Sequence, residues 1–212
     1  MGIFSMRNAG VALAVLLAAA GVAFLVLRDA ARFEALEEFL AKERFRRYDA
    51  LIEQAARNNG VSPSLVKAVV WRETKFRADA QGEAGERGLM QITEPAAADW
   101  AKACKVETFK PTDLFDPKVN IDAGTWYLAR ALRHWAHKDD PVPFALAEYN
   151  AGRSRVQRWV GQGADSARGL GQAMDFPSTK EYIASVVGRY RLYLGRGEFG
   201  EKPGDPALKA AK

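Results

Sequence analysis

Nineteen consecutive uncharged residues, Ala9 to Leu27, impose the first constraint on this chain. As a helix rising about 1.5 Å per residue, AGVALAVLLAAAGVAFLVL would reach roughly 28 Å, close to the thickness of a bilayer's hydrocarbon core. A cleaved signal peptide has a shorter apolar core of about 7–15 residues. The small residues Ala18, Ala19 and Ala20 offer a cleavage site, but cutting there would leave Val22 to Leu27 as an exposed apolar end. The run is therefore read as an uncleaved transmembrane anchor. No cysteine stands directly after it, which excludes a lipoprotein. Arg7 precedes the span, whereas Arg28 and Arg32 beyond it are mixed with Asp29, Glu34, Glu37 and Glu38. This weak positive-inside bias puts the N-terminus in the cytoplasm and the bulk of the chain on the extracytoplasmic side.

Residues 1–28 then form the anchor and 29–47 a charged helical stalk, in which Phe33, Leu36, Phe39 and Leu40 recur at helical spacing. Residues 48–194 form the globular domain, and the Gly-, Pro- and charge-rich 195–212 read as a disordered tail. Across all 212 residues, 48% are hydrophobic and 27% charged, which excludes disorder as the main state. Lysine and arginine outnumber acids 31 to 26, a scattered surplus that suits a polyanionic neighbour without choosing among cell wall, anionic lipid and nucleic acid. The single cysteine, Cys104, rules out an intramolecular disulfide framework and a Cys-based zinc cluster, and its expected place is the core.

Between Tyr48 and Leu194 the periodicity is helical almost throughout. Ser62-Pro63 starts a helix as N-cap and first residue, with Val66, Val69 and Val70 on one face. Asn120 reads as the cap of a second helix, Pro143 as the start of a third that stops at Gly152, and Arg155–Val160 and Lys180–Leu194 supply two more. Gly82 to Ile92 has room for a short hairpin or loop. The fold class is mainly α. Trp100, Trp126, Trp135 and Trp159 fall in helical apolar patterns and are assigned to the core. Arg153, Arg155 and Arg158 are assigned to a solvated basic face. His134 and His137 lack a third ligand at suitable spacing, so no metal site is assigned.

Glu73 falls at the end of the Val66–Val70 stripe, beside Trp71 and Phe76. Partial desolvation there would raise its pKa, as a proton donor working near neutral pH requires. On periodicity alone the favoured reading is a helix-end carboxylate that turns to solvent or pairs with Arg72 or Arg77. The surrounding motifs favour the first alternative. Trp71-Arg72-Glu73-Thr74-Lys75-Phe76, Gly88-Leu89-Met90-Gln91-Ile92, Ala147-Glu148-Tyr149-Asn150-Ala151-Gly152 and Tyr182-Ile183 occur in that order. Asp113-Leu114-Phe115-Asp116-Pro117, followed by Asn120-Ile121, lies between the second and third. Together they resemble the lytic transglycosylase domain of the soluble-lytic-transglycosylase type, a lysozyme-like fold, over roughly Tyr48 to Leu194.

That resemblance implies that Glu73 is the catalytic acid/base. It implies that Thr74, Gly88, Met90, Gln91, Tyr149, Asn150 and Tyr182 form the substrate-binding set, with no metal or organic cofactor. Thr74 stands where the family usually has serine, Glu86 where a small residue is common, and Ser178 where many members carry a second glutamate. The implied substrate is the glycan strand of peptidoglycan, cut between N-acetylmuramic acid and N-acetylglucosamine with formation of a 1,6-anhydromuramyl end. The implied partner is that strand; the N-terminal helix adds the cytoplasmic membrane, with room for a cell-envelope assembly or secretion complex and none for nucleic acid. A goose-type-like muramidase hydrolysing the same bond, and a feebly active wall-binding accessory of a trans-envelope machine, are the alternatives.

Overall fold

The computed structural model describes residues 40–201 together with Leu16, Arg32 and Leu36. Apart from Leu16, the expected anchor over Ala9–Leu27 lies outside the described residues. Among those that are described, no helix is long and apolar enough to cross a membrane. The chain divides into two compact units, Met1–Arg46 and Arg47–Lys212. In the first, Leu36 and Leu40 are helical and exposed, and a short helix spans Lys42–Arg46.

The second unit is built from eight α-helices among its described residues: α1 (Asp49–Asn59), α2 (Pro63–Thr74), α3 (Glu94–Ala103), α4 (Pro117–His134), α5 (Pro141–Ala151), α6 (Arg153–Gly161), α7 (Ala167–Ala173) and α8 (Pro177–Gly195). Helix α2 is the axial one. Ser62 caps it by accepting from Leu65 N, and Pro63 supplies a preset φ at a position where the missing N–H costs nothing. Its residues from Ser64 to Trp71 are all buried, between α8 on one side and α1 on another. Helix α4 packs on α1, α3 and α5, so the core is a layered helical stack with no strand among the described residues.

The local signals for helix ends hold in part. Helix α4 begins at Pro117, capped by Asp116, whose Oδ1 accepts from Lys118 N and Val119 N. Asn120 is not a cap; it lies inside the helix and is fully buried. An Asp-Pro pair three residues earlier satisfies the first amides better than Asn120 would, which releases the asparagine for another task. Helix α5 starts at Pro141, two residues before Pro143. The short α3 and α7 carry too few periodic apolar residues to announce themselves. Gly82 to Ile92 forms a tight irregular hairpin held by isolated bridges Gln81–Arg87 and Arg87–Ile92.

The expected disorder after Leu194 is corrected over its first residues. A 3₁₀ turn at Glu198–Gly200 folds back on α2. Buried Lys67 pairs with Glu198 at 2.7 Å and Asp49 at 2.8 Å, and Glu201 accepts from Ser64 N at the start of α2. A buried ammonium requires such partners, and here they come from both ends of the domain. Cys104 is also corrected: it ends α3 at an exposed position. Trp100, Trp135 and Trp159 are buried, Trp126 half-buried. Rings of His134 and His137 pack against Trp135 at centroid distances of 4.6 and 5.9 Å.

Candidate active site

Helix α2 delivers Glu73 to the floor of a cleft of about 540 Å³. One wall is the hairpin, with Gly82, Glu83, Ala84, Glu86 and Gln91; the other is the C-terminal end of α5, with Tyr149 and Asn150. The helix carrying Glu73 ends one residue later. Lys75 and Phe76 then take left-handed φ values of 51° and 63°, and Gln91 across the cleft takes 48°. Non-glycine residues in this region store strain that the surrounding packing must hold. Lys75 is held by its Nζ, 3.4 Å from the Trp71 ring centroid.

The Glu73 carboxyl accepts a 2.6 Å hydrogen bond at Oε1 from the Tyr182 hydroxyl. Burial pushes its pKa up from 4.5 to about 7; the Tyr182 bond and the Arg72 guanidinium pull it back, and the Glu86 carboxylate pushes it higher. Desolvation wins because neither favourable contact is an ion pair within hydrogen-bond reach. Arg72 instead lies over the Tyr182 ring, and Arg77 donates from Nε to Thr74 O. Glu73 is thus a desolvated carboxyl in an open cleft, not the solvent-turned or arginine-paired one that periodicity alone favours. The Tyr149 and Tyr182 hydroxyls are themselves pushed well above their ordinary pKa by burial, so both remain donors.

Among the residues that the motifs assign to substrate, Gln91, Tyr149 and Asn150 line the cleft. Thr74, Gly88, Met90 and Tyr182 do not; they build the walls from behind. Buried Thr74 donates to Leu89 O at 3.0 Å, tying the end of α2 to the turn between Arg87 and Ile92. Gly88, at φ 69°, lies so close to Leu114 O and the Asn120 amide that a Cβ would collide with both. Met90 is fully buried, its side chain filling the space left by Gly124. Only the backbone of Met90 serves the site: its N–H donates to Asn120 Oδ1 at 2.7 Å and its carbonyl accepts from Tyr149 Oη at 2.8 Å. Gln91 spends its amide N–H groups on Gly88 O and Ala80 O.

Three supports carry no motif signal of their own role. Asn120 donates to Arg87 O and Leu114 O while accepting from Met90 N, so one buried amide clamps the hairpin to α4. Buried Glu148 takes two bonds from Arg153 and one from Trp135 Nε1, fixing the α5–α6 corner next to Tyr149. Thr179 donates to Asn150 Oδ1 at 2.8 Å, orienting that amide from α8. Each is a polar residue that pattern reading places on a helix without a partner. The partners lie 5 to 33 positions away, each outside the helix that carries the residue.

A helical domain with a desolvated carboxyl at the floor of an open cleft defines the lysozyme-like class. Residues 50–170 match the family model of the transglycosylase SLT domain, and the chain belongs to that family. It is 29% identical over 157 residues to the soluble lytic murein transglycosylase of Salmonella typhimurium, covering 71% of this chain and 24% of that protein. It is 32% identical over 170 residues to membrane-bound lytic murein transglycosylase F of Desulfosudis oleivorans, covering 78% of this chain and 34% of that one. The 70-kDa soluble lytic transglycosylase, solved as a complex with bulgecin A, superposes with a TM-score of 0.69 at 27% identity, covering 80% of this chain and 27% of that chain. An inactive glutamate-to-glutamine mutant of the lytic transglycosylase Slt from Pseudomonas aeruginosa gives 0.65 at 25% identity, covering 73% and 25%. The chain therefore spans about a quarter to a third of the length of these relatives.

Proposed function

We propose that this protein is a peptidoglycan lytic transglycosylase, cutting the β-1,4 bond between N-acetylmuramic acid and N-acetylglucosamine without consuming water. The observation that carries the reading is the Glu73 carboxyl, desolvated to a pKa of about 7 and held by Tyr182 at the floor of the cleft. At neutral pH a substantial fraction is protonated, which is the form a general acid needs.

In this reading Glu73 gives its proton to the glycosidic oxygen as the C1–O bond breaks. The muramic acid's own acetamido oxygen stabilises the oxocarbenium-like centre, the substrate-assisted route among glycosidases. Glu73, now ionised, takes the proton of the same sugar's 6-hydroxyl, and that oxygen closes onto C1. The proton is returned, the ring is closed, and the anhydro product leaves with no water added. Asn150, whose Oδ1 is engaged by Thr179, has its amide N–H groups to orient the acetamido oxygen. Tyr149, fixed through Met90, holds the opposite edge of the floor.

Digestion of purified sacculi followed by muropeptide mass spectrometry tests this. The expected products carry anhydro ends, one water lighter than reducing ends. Reducing ends alone would assign the site to a muramidase, and no products to a wall-binding accessory.

We extend the proposal to a single-pass protein with its catalytic domain outside the cytoplasmic membrane, supported by the uncharged Ala9–Leu27 run and by membrane-bound relatives. The full chain is expected to stay with membranes through high salt and alkaline carbonate. A chain starting at Arg44 should be released and still digest sacculi. A mature N-terminus near Gly21 would overturn the anchor. A cell-envelope assembly or secretion complex is the class of protein partner such an anchored wall-cutting domain suits.

A further inference from the structure

The chain carries a net charge of +5, yet its cleft is acidic. Glu73, Glu83 and Glu86 line it, and among the described lining residues there is no lysine or arginine. Glu86 is a built part of the wall. Its Oε2 accepts from Ala84 N at 3.1 Å, and Gly82 faces it so closely that a Cβ there would collide with the carboxylate. The neighbouring Arg87 does not neutralise it: that guanidinium donates to Pro111 O and pairs with Glu94 on the far side of the hairpin.

We propose that Glu86 is a charge-reading specificity residue, selecting saccharide units that bring a primary ammonium to the hairpin wall over units that bring a carboxylate there. The inference rests on the glycan-cleaving reading of the cleft. A neutral wall would serve hydroxyl and acetamido groups equally well. A fixed carboxylate discriminates only where the ligand is charged, and in a concave site its field is focused on whatever enters. An incoming carboxylate would meet Glu83 and Glu86 with no cation between them; an ammonium would meet complementary charge. The ammonium has two chemical sources, an amino sugar without its acetyl group and the free amine of a diamino acid in the stem peptide.

The test uses the full chain carrying Glu73→Gln, which stops turnover, and measures equilibrium binding at low salt. Three probes are compared: an N-acetylglucosamine tetramer, its de-N-acetylated counterpart, and an acetylated disaccharide-peptide with a free side-chain amine. At least one amine-bearing probe is expected to bind about three- to fivefold tighter than the tetramer. Adding Glu86→Gln, which retains an acceptor for Ala84 N, should bring that ratio below about two, the remainder being due to Glu83. Preference for the second probe assigns the amino sugar as the source, and preference for the third the stem peptide. A ratio of one before the change, or one that Glu86→Gln leaves untouched while the tetramer still binds, overturns the role of Glu86 alone. Failure of all three probes to bind overturns the glycan-cleft reading together with it.

Discussion

Glu73→Gln is expected to lower the release of muropeptides from sacculi by about three to four orders of magnitude while leaving binding to sacculi in place. Glutamine keeps the shape and still accepts from Tyr182 Oη, but it can neither give nor take the proton. Stability should move the other way. The folded-state pKa of Glu73 is raised from 4.5 to about 7, so the folded chain holds this proton more tightly than the unfolded one. The stability arising from that preference is fully present below about pH 4.5 and is lost as pH rises through about 7. Glutamine does not titrate. Urea unfolding at pH 4 and pH 8 should therefore show the variant gaining on the wild type by on the order of 2–3 kcal/mol between the two. The wild-type rate should fall on the alkaline side with a midpoint near pH 7, as the acid form is depleted. A folded Glu73→Gln chain that digests sacculi at the wild-type rate would end the proposed mechanism.

Asn120→Ala is expected to be the most damaging change to the site among residues outside it. One fully buried amide makes three hydrogen bonds, to Met90 N, Arg87 O and Leu114 O, at 2.7 to 2.8 Å. Alanine would remove all three bonds, leaving Met90 N and Leu114 O unpaired in a dry region while Arg87 O keeps its bond from Ile92 N. At about 1 kcal/mol for each, the cost is about 3 kcal/mol, a fall in melting temperature of about 10 °C for a domain of this size. Catalysis should suffer too, since Met90 O anchors the Tyr149 hydroxyl and Leu89 O anchors Thr74. Asn120→Asp should not rescue it. A carboxylate can still accept from Met90 N but faces the carbonyls of Arg87 and Leu114 with no proton to offer. Thermal unfolding within about 2 °C of wild type for both variants would show that Asn120 does not clamp the hairpin.

What could be read without coordinates was local. The Ser62-Pro63 start of α2, the stop at Gly152 and the placement of Glu73 after the Val66–Val70 stripe depend on residues within a few positions of one another. Caps and periodicity report such relations directly. The order of the motifs was legible for the same reason, and it pointed to the family. Which side chains face the cleft was not. Thr74, Gly88 and Met90 belong to the motifs, yet they lie behind its walls, because helix rotation and hairpin path decide direction, and neither is written in spacing. Asn120 has the residue type of a cap, but Asp116 occupies that place. The Tyr182 bond to Glu73 spans 109 residues, and the Glu198 and Glu201 contacts to α2 span 131 and 137. Periodicity and motif order are enough for a mainly α domain and for the carboxyl that matters. How dry that carboxyl is, what orients it and which charges face it are not local, because burial and long-range pairing exist only once the helices have packed.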